Sequence, residues 1–247
     1  MATTTVDAPT PERETSEAAE HTEEVPPLHN GDRLTRKEFE RRYDAMPPGV
    51  KAELIEGVVY MIASVRIQSH SEPHFLITTW LGHYAVATPG VRGADNATAR
   101  FDPDNEPQPD AALFIDPACG GQARISDDDS LEGAPELAVE VAASSASYDL
   151  HDKKRAYRRN GVQEYLVWRT REEALDWFVL EDERYVRLTP GDDGLIESRV
   201  FPGLSLDAEA LLEGDGAAVL EAVRAGTDTE AHADFTRTLD EQRDEKA

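Results

Sequence analysis

The sequence predicts a single α/β domain, with a central mixed β-sheet flanked by helices, between two disordered acidic tails. Three observations predict this fold class. Apolar residues recur at helical spacing in some segments and alternate at strand spacing in others, in the order helix, β-hairpin, helix, then strands interrupted by one helix. The hydrophobic content of 39% is ordinary for a globular protein. The N-terminal residues, rich in Thr, Glu, Pro and Ala, lack such periodicity, and the C-terminal residues turn acidic.

The predicted domain covers residues 31–212. The tail 1–30 carries a net charge of −6. Residues 213–247, which we expect to be an acidic, partly helical or disordered tail outside the core, also carry −6. The whole chain carries −25, so the domain itself is acidic. Such a charge repels phosphate at long range and disfavours nonspecific binding to nucleic acid or to anionic membranes.

The first half of the domain contains two helices and a hairpin. The stretch "LTRKEFERRYDAMPPG" predicts a helix that Thr35 can cap and that Pro-Pro-Gly ends. "KAELIEGVVYMIA" predicts two short strands that turn near Glu56-Gly57. "SEPHFLITTWLGHYAVATPG" predicts a helix whose apolar stripe includes Leu76, Trp80 and Tyr84.

The second half is rich in strands. "QPDAALFID" and "ELAVEVA" predict two strands, and a helix follows from about Asp149 to Asn160, with Gly161 placed to end it in a left-handed cap. "EYLVWRT", "ALDWFVLE" and "YVRLTP" predict three consecutive strands. "FPGLSLDAEALLEG" closes the domain with a short helix.

Several classes of protein are disfavoured. No apolar run approaches the roughly 20 residues that a membrane helix needs. The N-terminus lacks the pattern of a secretory signal, and the single cysteine, Cys119, cannot form an internal disulfide. We therefore expect a cytoplasmic protein without a membrane partner. No phosphate-cradling glycine loop, Ser-His-Asp arrangement or zinc spacing occurs, and we expect no organic cofactor.

Glu140 lies in the middle of the strand "ELAVEVA". Side chains alternate along a strand, so Leu137, Val139 and Val141 share a core face while Glu140 lies on the other face between two alanines. A carboxylate buried alone costs several kcal/mol, so Glu140 needs a cation, a proton or a metal. An edge strand with that face in water, or a structural ion pair, would also explain the position.

The helix after this strand carries a lysine on its apolar stripe. Leu150, Lys153, Lys154 and Tyr157 recur at helical spacing, so at least one lysine should point along the sheet. Asp149, four residues before Lys153, could instead pair with it on the helix surface.

Asp110 begins the strand "QPDAALFI" and is a third candidate beside Glu140 and Lys153. An Asp after Pro is also common where it only helps to form a turn. Two carboxylates on neighbouring strands, Asp110 and Glu140, suit Mg²⁺ or Mn²⁺. Such an ion polarises a phosphodiester, and Lys153 can orient the attacking water or stabilise negative charge in the transition state.

The motifs also resemble a known family. "AELIEGVVYM", a His shortly after it, "PQPDAALFI", "GAPELAVEVAASS", "YDLHDKKRAYRRNGVQEYLVW" and "VFPGLSLD" together resemble the Uma-two family, over about residues 34–212. Its members are described as restriction endonucleases of the PD-(D/E)XK nuclease superfamily. The resemblance implies a PD-(D/E)XK nuclease-like domain and a Mg²⁺- or Mn²⁺-dependent endonuclease acting on DNA.

The resemblance also implies site residues. Asp110 matches the superfamily aspartate and Glu140 the second acid. Ala142 occupies the usual place of the lysine, and Lys153 matches a position to which that lysine has moved on the following helix. Glu53 in "AELIEG" and His74 in "SEPHF" match two further polar positions of the site.

"KKRAYRR" begins with Lys153 and is the basic cluster of the chain. Lys154, Arg155 and Arg158 within it are candidates for contacting DNA phosphates, although a solvated helix face explains them equally well. Nuclease folds of this type often act as dimers, which makes a homodimer compatible with the sequence.

Two other functions stay open at this point. A non-catalytic interaction protein that retains a nuclease fold would suit the acidic charge and the displaced lysine. A glycosidase that uses Asp110 and Glu140 as an acid pair is the weakest reading, because aromatic sugar platforms are missing.

Overall fold

A computed structural model describes Met1, residues 24–62 and residues 66–246. The helices are α1 (Arg36–Tyr43), α2 (Glu72–Ala87), α3 (Ala146–Tyr148), α4 (Lys154–Arg159), α5 (Ala208–Glu213), α6 (Gly216–Thr227) and α7 (Glu230–Lys246). A π-helical turn, Ile67–Ser71, precedes α2, and a second one, Asp149–Lys153, joins α3 to α4. Within the described residues, none of these helices combines the length and the apolar character needed to cross a bilayer.

The strands are short and lie mostly in one sheet. They are β1 (Ala52–Ile55), β2 (Val58–Met61), β3 (Val91–Asp95), β4 (Ala99–Arg100), β5 (Ala111–Ile115), β6 (Arg124–Ile125), β7 (Leu131–Glu132), β8 (Leu137–Ala142), β9 (Glu164–Arg169), β10 (Ala174–Glu181), β11 (Arg184–Arg187), β12 (Leu195–Glu197) and β13 (Ser205–Asp207). The predicted hairpin is β1–β2, and the three predicted consecutive strands are β9, β10 and β11.

The central sheet has the order β11-β10-β9-β8-β5-β3. β8 and β9 are parallel, because the helical stretch 146–159 connects them, and the other pairs are antiparallel. The predicted mixed sheet flanked by helices is therefore confirmed. β8 is an interior strand, so Glu140 is not on a solvated edge.

Both faces of β8 are covered. Leu137, Val139 and Val141 join the main core, as their alternation predicts. Ala138 and Ala142 point to the opposite face and pack in a second cluster. Helix α2 covers the main core with Ile77, Trp80, Leu81 and Tyr84. Glu140 therefore lies between two buried alanines beneath the helical stretch.

The C-terminal residues require a correction. The expectation that the chain beyond Gly214 stays outside the core is wrong, because Val219 and Val223 of α6 and Leu239 of α7 belong to the main core. The side chain of Asp215 caps α6 by accepting from two backbone N–H groups. The acidic residues lie on the outer faces of these helices. The buried apolar residues are few, so their helical spacing is hard to recognise in the sequence.

Most of the predicted N-terminal tail, residues 2–23, lies outside the described residues. Its last residues are ordered, since Leu28 is buried in a cluster with Phe39 and Leu54. The packed structure thus begins a few residues before the predicted boundary at residue 31.

Candidate active site

Asp110 and Glu140 are brought side by side by the register of two strands. β5 pairs antiparallel with β8 so that Ala111 lies opposite Val139. The same register carried one residue further places Asp110 beside Glu140 on one face of the sheet. The Asp110 carboxylate accepts a hydrogen bond from the Val141 backbone N–H at 2.7 Å, which holds it at the start of β5.

Lys153 reaches Glu140 from the helix above. Its Nζ lies 2.9 Å from Glu140 Oε1 and 2.8 Å from Glu53 Oε1. Tyr157, one helical turn later, donates its hydroxyl to the same Glu140 oxygen at 2.7 Å. All four side chains are buried. The four-residue spacing of Lys153 and Tyr157 therefore places both side chains on the helix face that packs against the sheet.

Glu53 joins the site from β1. Its Oε1 accepts a hydrogen bond from the Gln108 backbone N–H at 2.6 Å, two residues before Asp110. Glu53 thus connects Lys153 with the segment that leads into β5. The partner of Lys153 opposite Glu140 is Glu53, whereas Asp110 acts on the lysine through its charge without a direct ion pair.

His74 contacts the main chain of the site. Its Nε2 lies 2.8 Å from the Asp110 carbonyl oxygen and 2.9 Å from Asp95 Oδ1. Its ring stacks on the ring of His70, with the centroids 5.6 Å apart. His74 supports the backbone at Asp110 and does not touch its carboxylate.

His70 is a site residue that the sequence analysis misses. Its Nε2 lies 3.5 Å from Asp110 Oδ1 and its Nδ1 lies 2.9 Å from the Val141 carbonyl oxygen. The nearby Asp110 carboxylate raises the pKa of His70 above its usual value. Burial would raise the pKa of Asp110, but His70 lowers it. The spacing of His70 and His74, four residues apart across the start of α2, is the signal that could have found it.

Asp149 and Tyr148 also line the cavity, although the sequence does not indicate either of them as a site residue. Asp149 is buried in the π-helical turn, and burial raises its pKa to about 6 although Lys153 opposes that shift. The Tyr148 hydroxyl is buried and has no hydrogen-bond partner among the described residues. A π-helical turn widens the helix locally and is frequent at functional sites.

The charges at the site do not balance. Glu53, Asp110, Glu140 and Asp149 face a single buried ammonium. Burial raises the pKa of Glu140 well above its usual value, and the neighbouring carboxylates add to this against the effect of Lys153. Burial alone would lower the pKa of Lys153, but Glu140 and Glu53 raise it above its usual value. The lysine is therefore a cation at neutral pH, surrounded by four carboxyl groups.

Glu53, Asp110, Asp149 and Lys153 line a cavity of about 560 Å³, whereas Glu140 is not a lining residue and adjoins the cavity through its contact with Lys153. Its polar lining residues include Lys51, Glu53, Tyr60, Arg66, Ser69, His70, Asn96, Gln108, Asp110, Ser144, Ser145, Tyr148, Asp149, Lys153 and Arg171. The carboxylates and the ammonium lie at its buried end, while Lys51, Arg66 and Arg171 are exposed at its rim.

The predicted basic cluster lies elsewhere. Lys154 packs over the Phe178 ring at 3.2 Å, Arg155 pairs with Glu56 and Asp152, and Arg158 donates to the Glu183 carbonyl oxygen. None of the three lines the cavity. Their cationic groups are thus engaged within the molecule.

The donor set fits a hydrated divalent cation. No group of three or more His, Cys, Asp or Glu side chains among the described residues is arranged to hold a metal ion. Mg²⁺, however, keeps several waters and needs only one or two carboxylates. Asp110 and Glu140 would be two such ligands, and the Tyr148 hydroxyl, which has no hydrogen-bond partner among the described residues, would be free to contact one of the waters.

Comparison with known proteins identifies the family. The model of the family Uma2, described as "Putative restriction endonuclease", matches residues 36–209, which contain every predicted site residue. The chain belongs to the Uma2 family. This is the Uma-two family whose motifs the sequence resembles.

A solved structure shares the fold. It is the crystal structure of "a putative nuclease belonging to DUF820" from Anabaena variabilis ATCC 29413. The two chains are 14% identical, and the match has a TM-score of 0.54 over 70% of this chain and 96% of the other. No curated protein matches the sequence. This Uma2 protein therefore has a nuclease-like fold, and family and fold together support a hydrolase that acts on nucleic acid.

Proposed function

We propose that this Uma2 protein is a metal-dependent endonuclease that hydrolyses phosphodiester bonds in DNA. The observation that carries the proposal is the Lys153 ammonium, held between Glu140 and Glu53 on the wall of a cavity that Asp110 also lines. Two opposed carboxylates and a fixed cation at one end of a cavity suit a reaction in which a charged phosphate is attacked by water.

Asp110 and Glu140 would hold Mg²⁺ or Mn²⁺. When bound, the ion would polarise the phosphodiester and lower the pKa of the attacking water. The chain's own contribution is to keep both carboxylates in place before substrate arrives. The Val141 N–H and His70 hold Asp110, and Tyr157 holds Glu140.

Lys153 would stabilise the negative charge that develops on the phosphate oxygens. An ammonium has three N–H donors, and Glu140 and Glu53 account for two directions around it. Because its neighbours keep it protonated, it serves as a donor and a positive charge and not as a base. The helix thereby supplies the lysine that Ala142 cannot supply from the strand.

Glu53 and His74 would act as positioning residues. Glu53 fixes the Lys153 amine and the backbone at Gln108, and His74 fixes the backbone carbonyl of Asp110. His70 would hold the Asp110 carboxylate in the same way. Errors of about 1 Å in such placements cost large factors in rate, so these residues matter without touching the reacting atoms.

A plasmid-nicking assay with Mg²⁺ or Mn²⁺ tests the proposal. We expect nicking by the wild type and losses of at least about 100-fold in Asp110→Asn, Glu140→Gln and Lys153→Met, as for other preorganised charges. Glu136→Gln is the matched control, because Glu136 is a buried carboxylate just before β8 that accepts from the Ile115 and Gln122 backbone N–H groups and does not contact Lys153. Circular dichroism of every variant separates loss of chemistry from loss of fold.

Isothermal titration calorimetry with Mn²⁺ tests metal binding independently of the nicking assay. Binding should be present in the wild type and absent in Asp110→Asn and Glu140→Gln. A wild type that neither binds the ion nor nicks DNA would refute the nuclease proposal. The net charge of −25 would then favour the second candidate, a non-catalytic interaction protein with a nuclease-like fold.

A further inference from the structure

Ion pairing separates the arginines of this acidic chain into two groups. Most of them, among them Arg100, Arg155 and Arg169, lie within pairing distance of carboxylates. Five described arginines form no ion pair with any residue that the structure describes, and two of them, Arg66 and Arg171, line the cavity. In a chain with twice as many acids as bases, 50 against 25, two unpaired arginines at one cavity are a distinct feature.

Lys51 is the third cation at the rim. Its Nζ contacts only the Asn96 side-chain oxygen, at 3.4 Å, within the described part of the chain. Lys51 precedes β1, Arg66 precedes the turn into α2, and Arg171 lies in the turn between β9 and β10. Three separate segments thus bring positive charge to one opening. We call Lys51, Arg66 and Arg171 the cationic rim.

The segments that carry two of these cations are joined by a hydrogen bond. The Thr170 hydroxyl donates to the Ser69 carbonyl oxygen at 2.6 Å, which ties the β9–β10 turn to the π-helical turn Ile67–Ser71. Arg66 lies three residues before Ser69, and Arg171 directly follows Thr170. The two backbone segments that carry these arginines are therefore held together at one wall of the cavity, while the backbone at Lys51 is held through its carbonyl oxygen, which accepts from the Ile62 N–H at 2.9 Å.

We propose that the cationic rim binds the phosphates of the nucleic-acid strand whose scissile bond enters the cavity. The inference rests on the proposed function for the reaction, and it assigns the binding of the strand to residues other than the helix cluster. A guanidinium without a carboxylate partner can contact a phosphate without first breaking an ion pair. Arg155 would have to leave Glu56 and Asp152 to do so.

The rim also explains how an acidic protein could attract a polyanion. The summed charge repels phosphate at a distance, but exposed charges are screened beyond about 8–10 Å at physiological ionic strength. Within that range an approaching phosphate meets the three rim cations directly. The buried carboxylates below them are partly neutralised by Lys153 and, in the proposed reaction, by the divalent ion.

Fluorescence anisotropy with labelled single-stranded and double-stranded DNA, in Ca²⁺ instead of Mg²⁺, tests the inference. The variant is Lys51→Gln/Arg66→Gln/Arg171→Gln. We expect its affinity to fall at least about tenfold, and the slope of log K against log salt to become shallower by about 2 to 3, since each phosphate contact contributes about 0.7–0.9. The two DNA forms show which one the rim accepts.

A charge-matched control distinguishes the rim from the overall charge. Arg33→Gln/Lys37→Gln/Arg184→Gln removes the same residue types from exposed positions that form no ion pair with described residues and do not line the cavity. It should bind as the wild type does. Arg155→Gln/Arg158→Gln tests the helix cluster in the same assay. Unchanged affinity and slope in the rim variant, or a larger loss in either comparison variant, would overturn the inference.

The nicking assay keeps this inference apart from the proposed function. If the wild type nicks DNA and the rim variant binds it normally, the rim assignment fails and the nuclease proposal stands. If the wild type binds DNA through the rim but does not nick it, the rim stands and the nuclease proposal fails. A wild type that binds neither form of DNA at low salt would refute both.

Discussion

At the scale of single residues, neighbouring strands bury glutamates for different purposes. Glu164 in β9 accepts hydrogen bonds from the backbone N–H groups of Arg199 and Val200 and from the Ser198 hydroxyl. Glu136 accepts from the Ile115 and Gln122 N–H groups. Both carboxylates organise loops. Glu140 is instead held by side chains, a lysine and a tyrosine, next to a cavity.

Burial by itself therefore does not mark a functional acid. A carboxylate whose oxygens are satisfied by backbone N–H groups is a structural anchor, because its partners cannot move aside for a ligand. A carboxylate that shares its partners with other acids around an open volume retains the capacity to bind a cation. This distinction needs coordinates, since all three glutamates lie in similar apolar sequence contexts.

Glu106 predicts a pH dependence of stability. Burial and the neighbouring Glu40 raise its pKa to about 8. The folded state thus binds a proton that the unfolded state releases near pH 4.5, so the contribution of Glu106 to stability is full below about pH 4.5 and is lost as the pH rises to about 8. Glu106→Gln should make the melting temperature fall less between pH 5 and pH 8 than it does in the wild type.

The control for this variant must carry the same change in charge. Glu241→Gln removes one negative charge from an exposed position on α7 and should leave the pH dependence as in the wild type. Melting curves followed by circular dichroism across the range provide the measurement. Parallel curves for wild type and Glu106→Gln would contradict the prediction.

At the scale of elements, the helical stretch 146–159 is tied to the sheet at two points by tyrosines. Tyr157 donates from α4 to the Glu140 carboxylate in β8 at 2.7 Å. Tyr165 donates from β9 to the Asp149 carbonyl oxygen in the π-helical turn at 3.0 Å. Their rings meet edge to face at 4.9 Å. Together, the two tyrosines fix the position of Lys153 over the strands.

Because the two tyrosine hydroxyls donate to different kinds of acceptor, we expect their removal to lower the unfolding free energy by unequal amounts. Tyr157→Phe removes a hydrogen bond to an ionisable group and should cost about 1.5–3 kcal/mol of unfolding free energy, whereas Tyr165→Phe removes one to a neutral carbonyl and should cost about 0.5–1.5 kcal/mol. Both rings are fully buried, so each variant controls for the other. Urea unfolding measures the difference, and a larger loss in Tyr165→Phe would contradict it.

At the scale of the whole molecule, the C-terminal helices complete the core despite their acidity. Val223 of α6 is fully buried, whereas Val86 of α2 is 88% exposed. Val223→Ala should lower the unfolding free energy by about 2 kcal/mol or more, through lost burial and the cavity left behind. Val86→Ala should change it by no more than about 0.5 kcal/mol.

Urea unfolding of the two valine variants measures whether the C-terminal segment folds with the domain. Because both substitutions remove the same atoms, their difference reports burial alone. Equal values would mean that α6 does not pack against the sheet in solution. The acidic composition of the whole C-terminal segment hid this packing, since most of its acids lie in α7 and beside the helices, whereas α6 contains only Glu221.

The sequence by itself determined the β1–β2 hairpin, helix α2, the strands β5 and β8 to β11 and the two faces of β8, but not β3, α6 or α7. It also named Asp110, Glu140 and Lys153 as candidates for one site. These follow from local periodicity, because strand alternation and helical spacing act within a few residues. Only the tertiary structure decided that Lys153 pairs with Glu53, that His70 supports Asp110, and that Arg66 and Arg171 lie at the cavity without an ion pair to any described residue. Those partners lie tens of residues apart, and the packing of the elements sets which charges meet.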